Sequence, residues 1–173
     1  MDYADIIKLV LPALLVMLTA YLLLNKLLRN EERRQNFELR KNSQPVVTPV
    51  RLRAYERLTL VLERTMPSTL ILHVAKPAMT NMELQTELLA TIRQEFGHNL
   101  SQQIYVSNEV WSLVRSTQES LLRLVNTCAA QCKPNESASA LAELIIKVYG
   151  SSDRTPGELA LEKLKNEVRT FFQ

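Results

Sequence analysis

Residues 80–100 read TNMELQTELLATIRQEFGHNL, and this stretch decides the fold class. Thr80-Asn81-Met82-Glu83 has the form of a capping box. The threonine hydroxyl can accept from the amide of Glu83, whose carboxylate reaches back to the amide of Thr80. Behind the cap, Leu84, Leu88, Ile92, Phe96 and Leu100 recur every fourth residue, with Leu89 beside them. That spacing lays one apolar stripe along a helix and predicts that it faces a core.

Toward the C-terminus the same signals recur. Ile104-Tyr105-Val106 breaks the helical period. Ser107 then caps a long helix carrying Val110, Trp111, Val114, Leu121, Leu124, Val125 and Cys128, expected to end near Lys133-Pro134. A further helix is predicted from Ser137 to Tyr149, with Leu141, Leu144, Ile145 and Val148 inward and Gly150 as its C′ stop. Thr155-Pro156-Gly157-Glu158 is a second capping box with proline at N1. It opens a last helix through Leu159, Leu161, Leu164, Val168 and Phe171 or Phe172.

Toward the N-terminus, residues 68–79 (STLILHVAKPAM) fit a short helix or an extended packed segment. Before them, Thr48 as N-cap and Pro49 at N1 start a helix that shows Tyr55, Leu58, Val61 and Leu62 on one side. Met66-Pro67 stops it. The chain of 173 residues holds only three glycines, which argues against hairpin-rich or glycine-loop folds. The expectation for residues 50–173 is an all-α bundle of about five helices.

Residues 1–49 have a different composition. Leu9 to Leu24 (LVLPALLVMLTAYLLL) bears no charge, and residues 6–28 have the length of a transmembrane helix, roughly 20 residues for a hydrocarbon core of about 30 Å. Lys8, Lys26 and Arg29 flank it, placed to snorkel to headgroups. Residues 1–5 form a short acidic tail, MDYAD, unlike the basic start of a cleaved signal peptide. Six basic residues follow the span between 25 and 44, against Lys8 alone before it. The positive-inside rule then predicts an inner-membrane protein with its N-terminus in the periplasm and its C-terminal domain in the cytoplasm. Residues 29–44 form a charged stalk, and across 25–43 Leu27, Leu28, Phe37 and Leu39 do not sustain a heptad. A solvated juxtamembrane helix suits it better than a coiled coil. The linker is 45–49, PVVTP.

Chemistry-bearing motifs are sparse. Glu95 and His98 stand at the i, i+3 spacing of di-iron bundles, but the second copy such a site requires is missing, and a polar helix edge explains the pair as well. Cys128 and Cys132 share a helix face without two further ligands, so they read as small core residues. Nucleophile-elbow and phosphate-loop motifs do not occur. The expectation is therefore no enzyme, no cofactor and no metal. Arg53 and Arg57, with Arg51 and Arg64, give the first domain helix a basic edge that is too narrow for nucleic acid. With Arg33 and Arg34 of the stalk, Arg53 and Arg57 are candidate contacts for lipid headgroups of the bilayer. Gln102, Gln103, Tyr105 and Trp111 cluster between two long helices. They fit a packed interior corner or a docking corner for an unidentified protein partner, because tyrosine and tryptophan suit both. The oligomeric state is not encoded in any of these signals.

The acidic start, the LPALLVMLTAYLLL span, the charged stalk, PVRLRAYERLTLVLER and EFGHNLSQQIYVSNEVW together resemble an uncharacterised family of short single-pass membrane proteins of Bacteroidota. The likeness covers most of residues 1–130. It implies an inner-membrane location with a cytoplasmic domain and carries no reaction, ligand or catalytic residue. Taken together, these features predict a membrane-tethered cytoplasmic adaptor or scaffold that works through protein–protein contacts. The alternative is a non-catalytic accessory subunit of a larger inner-membrane complex. A stator arm like the b subunit of ATP synthase fits poorly, since Pro45 and Pro49 interrupt the long helix it needs.

Overall fold

In the computed structural model, which describes residues 17–19, 21–26 and 48–170, α1 is described over 48–64. Thr48, expected as its N-cap, is itself helical, and the residues before it lie outside the described ones. Ala54, Tyr55, Leu58, Val61 and Leu62 are all buried, at the spacing of one helical face. At the far end the carbonyl of Val61 accepts both the amide of buried Thr65 at 3.0 Å and its hydroxyl at 2.7 Å, which leaves that buried hydroxyl satisfied.

The next segment is α2 (Pro67–Val74), so the stretch expected as either helix or extended chain is helical through Val74. Pro67, Leu70, Ile71 and Val74 are its buried residues, at i, i+3, i+4 and i+7. Ala75 is extended and Lys76-Pro77 prevents continuation. In the turn that follows, Ala78 adopts φ of 66°, a left-handed conformation costly for a residue with a Cβ.

Helix α3 (Asn81–His98) carries the full Thr80/Glu83 capping box and buries Leu84, Leu88, Ile92 and Phe96. Leu100, expected on the same stripe, is exposed instead. The side-chain amide of Asn99 donates to the carbonyl of Glu95 at 2.9 Å, closing α3 before the stripe reaches Leu100. The chain then tightens into a 3-10 turn, Leu100–Ile104, in which no residue is buried.

Ser107 caps α4 (Asn108–Ala129), accepting from the amide of Val110. Val110, Val114, Thr117, Leu121, Val125 and Cys128 form its buried face. The helix ends four residues before Lys133, earlier than Lys133-Pro134 would impose, and turns at 130–136 lead to the next element. Helix α5 (Ala138–Gly150) runs through Gly150, whose φ is not positive. The expected glycine stop is therefore replaced by Ser151, whose hydroxyl donates to the carbonyl of Val148 at 2.8 Å. Val148, expected inward, is exposed. Helix α6 (Pro156–Arg169) shows the second capping box, Thr155/Glu158, and buries Gly157, Ala160, Leu161 and Leu164.

Helix α4 organises the bundle. At 22 residues it spans about 33 Å, and α3, α5 and α6 all pack on it, while α2 lies on α3 and α5. Ile145 of α5 lines a small internal cavity together with Leu121, Leu124 and Val125 of the C-terminal half of α4. Gly157 of α6 approaches Thr117, and Lys163 pairs with Glu109 near the N-terminus of α4 at 2.6 Å. One continuous apolar cluster runs through all six helices. Among the described residues every regular element is helical, and the one β-bridge, Thr80 with Ser137, is isolated.

The chain divides between Thr48 and Pro49 into two units. In the first, residues 17–19 and 21–26 are helical, and Met17, Leu18 and Tyr21 to Leu24 have exposed side chains. The remainder of the predicted span 6–28, the stalk 29–44 and residues 45–47 lie outside the described residues, as do Phe171 and Phe172. Among the described residues, no helix is long and apolar enough to cross a membrane.

Candidate functional site

The segment between α3 and α4 forms a corner where the first turns of α1 and the last turn of α6 also meet. Its centre is Glu167 of α6. The hydroxyl of Tyr55 donates to this carboxylate at 2.6 Å. Ser107 donates twice, through its amide at 3.1 Å and its hydroxyl at 2.8 Å. An Arg51 guanidinium nitrogen stands 4.0 Å away, and the Nε of the same arginine donates to the carbonyl of Tyr105 at 3.2 Å. Three helices and the turn are thereby fastened to one negative group. Charge-assisted bonds of this kind are the stronger class of hydrogen bond.

Burial pushes the Tyr55 hydroxyl up to about 12 from an ordinary value near 10. Donation to Glu167 pushes in the same direction, because losing the proton would set two anions face to face, and Arg51 only partly offsets this. Tyr55 is thus a neutral donor throughout the physiological range. Ser107 serves as helix cap and as carboxylate donor at once, so the start of α4 depends on the end of α6.

The corner residues singled out in the sequence separate here. Gln102 is half-buried and donates to Ser101 Oγ at 3.2 Å, and Gln103 is exposed. Tyr105 is half-buried, and Trp111 is half-buried against the core. The apolar groups that face outward are Leu100, 54 % exposed, and Ile104, 73 % exposed. Glu167 was missed in the sequence. It lies 112 positions from Tyr55, and no local spacing links them. The i, i+4 relation of Arg51 and Tyr55 was the one visible trace.

A second polar knot closes the opposite end of α3. Asn81 is 2 % exposed. Its Nδ2 donates to the carbonyl of Lys133 at 2.9 Å, and its Oδ1 accepts from the amide of Leu141 at 3.2 Å. Backbone bonds from Asn81 to Glu136, Met82 to Pro134 and Ala138 to Met79 complete it. The 130–137 connection is pinned to α3 in this way. Beside it, amide and hydroxyl donation from Thr80 holds the Glu83 carboxyl below its usual range.

Of the headgroup candidates, Arg53 and Arg57 are exposed on α1, and Lys26 is exposed at the end of the first described helical segment. Lys8, Arg29, Arg33 and Arg34 lie outside the described residues. Glu95 lines a groove of about 330 Å³ with Arg64, Thr69, Leu70, His73 and Thr91, so its groove-mate is His73 and not the sequence neighbour His98. Among the described residues no group of three His, Cys, Asp or Glu side chains could hold a metal ion. Cys128 is buried, and burial, reinforced by the nearby Cys132, pushes its thiol up. A raised thiol makes a poor nucleophile at neutral pH.

These features define a helical-bundle domain tied at both ends by polar knots. By the match of its family model over residues 1–171, the chain belongs to a family of unknown function, DUF7935. No curated protein and no solved structure matches the chain.

Proposed function

We propose that the chain is a membrane-tethered helical adaptor, anchored by residues 6–28 in a bacterial inner membrane, as the resemblance to single-pass Bacteroidota proteins implies. Its bundle presents a surface to a protein partner on the cytoplasmic side. The observation that carries this reading is the uncharged run from Leu9 to Leu24. A helix apolar on all faces suits lipid better than water, since every backbone polar group is satisfied within it. The outward Leu22, Leu23 and Leu24 in the described part of that run are in keeping with it. The basic excess after the run supports the cytoplasmic placement.

Crosslinking in native membranes followed by mass spectrometry tests the adaptor role. Soluble or substoichiometric partners are expected. A fixed-stoichiometry set of integral membrane subunits would instead make the chain an accessory subunit of a larger complex. A reporter fused after Gln173 should be active only in the cytoplasm, and activity in the periplasm reverses the sidedness.

A further inference from the structure

The groove of about 330 Å³ is bordered by three helices: Arg64 at the end of α1, Thr69, Leu70 and His73 of α2, and Thr91 and Glu95 of α3. Helical spacing sets its polar groups in pairs. Thr69 and His73 stand four apart on α2, and Thr91 and Glu95 four apart on α3, so each pair shares one helix face. Leu70 is buried, Thr91 and Glu95 are half-buried, and Arg64, Thr69 and His73 form the more exposed side. None of these five polar side chains has a hydrogen-bond or ion-pair partner among the described residues. Similar groups elsewhere in the domain do. Thr65, Thr86 and Thr117 each turn their hydroxyl back to the carbonyl four residues earlier, and Thr91 does not. Lys133, Arg154 and Lys163 each reach a carboxylate, of Glu136, Glu162 and Glu109 in turn. Arg64 and Glu95 carry opposite charges on one groove and do not meet.

We infer that this groove binds a free α-amino acid with an apolar side chain. A simple anion entering it would face the Glu95 carboxylate, and a simple cation would face Arg64. A zwitterion meets a partner at both. The Arg64 guanidinium takes the α-carboxylate, which its planar fork suits. The Glu95 carboxylate accepts from the α-ammonium, and the Thr69 and Thr91 hydroxyls donate to the one or accept from the other. The side chain of the ligand rests against Leu70. At about 30 Å³ for each water-sized share, the groove has room for roughly ten non-hydrogen atoms, the size of leucine or methionine. A metal ion fits less well, since among the described residues His73 and Glu95 find no third ligand. The site lies wholly within the bundle and is independent of the membrane-tethered reading.

The test is calorimetric titration of the full chain, in detergent micelles, with L-leucine and L-methionine. Each is compared with its N-acetyl form, which lacks the ammonium, and its amide, which lacks the carboxylate. The better amino acid should bind about tenfold more tightly than either blocked form. Arg64→Gln should erase the preference over the amide, and Glu95→Gln the preference over the N-acetyl form. Equal affinity for all three forms overturns the inference, since the groove is then an apolar patch only. Heat of dilution alone with both amino acids at about 10 mM also overturns it. So does a preference that survives both substitutions, which places the ligand elsewhere. If either variant loses helicity by circular dichroism, the wild-type chain is photolabelled with diazirine-bearing leucine instead. Labels between residues 64 and 73 or 91 and 95 support the site, and labels confined to other residues overturn it.

Discussion

The two ends of α3 are closed by opposite chemistry. At its N-terminus a neutral amide, Asn81, sits almost wholly out of water with its donor and acceptor both used. Beyond its C-terminus a carboxylate, Glu167, with a fifth of its side chain in solvent, gathers a tyrosine, a serine and an arginine. A neutral buried knot is indifferent to salt. A half-exposed ionic one is screened, and its strength depends on keeping its donors protonated. The first knot reads as structural, and the second marks the end of the bundle where the surrounding medium can alter the packing.

The largest effect is expected from Asn81→Ala. It strands the buried Leu141 amide, worth about 1–3 kcal/mol when left without a partner, while the Lys133 carbonyl keeps the Glu136 amide at 3.2 Å. Urea unfolding should show a loss of about 1–3 kcal/mol, the same in low and high salt. A loss under about 1 kcal/mol would mean that water replaces the amide and the knot is not structural.

Tyr55→Phe comes next, removing one bond to a charged acceptor, with an expected cost of about 1–2 kcal/mol because Ser107 still serves Glu167. Its sharper signature is in pH. The folded pKa of Tyr55, about 12, lies above its unfolded value, so its contribution is complete below about pH 10 and is lost as pH rises toward 12. Wild-type stability should fall across that window, and Tyr55→Phe should flatten the fall. The other end responds on the acid side. Because the Glu83 pKa is lowered, its capping contribution is present above the usual carboxylate range and lost as pH falls through the lowered value. Amide-exchange protection in the first turn of α3 should accordingly fall as pH drops through that value.

The smallest effect is at Ala78, in the turn leading to the Asn81 knot. Ala78→Gly relieves a left-handed alanine but frees the unfolded chain, for a net gain of up to about 1 kcal/mol. A clear loss of stability would mean that the Ala78 methyl group contributes more than its backbone conformation costs.

What was legible in the sequence follows the range of each signal. Both capping boxes, the Ser107 cap and the buried stripes of α1, α3 and α4 are written within three to seven residues, and they fold as read. Helix α2 was ambiguous because Leu70 to Val74 alone fits helix or strand. Counting Pro67 completes the i, i+3, i+4, i+7 set. Leu100 misled because a period of four continues on paper after Asn99 has closed the helix. Gly150 misled because glycine permits a left-handed stop without requiring one, and Ser151 supplies the stop here. The corner knot was illegible for a deeper reason. Arg51, Ser107 and Glu167 are brought together by α4 packing on α6 and by α1 reaching their junction, and no window of sequence holds all three. The sequence singled out this corner through Tyr105 and Trp111, yet those aromatics are partly packed inward and the outward groups are Leu100 and Ile104.

The proposed role turns on whether residues 6–28 hold the chain in lipid. Alkaline carbonate extraction of cells expressing the full chain, followed by high-speed centrifugation, tests that directly. The account predicts that the protein stays in the membrane pellet and is released only by detergent. Recovery in the carbonate supernatant would contradict it.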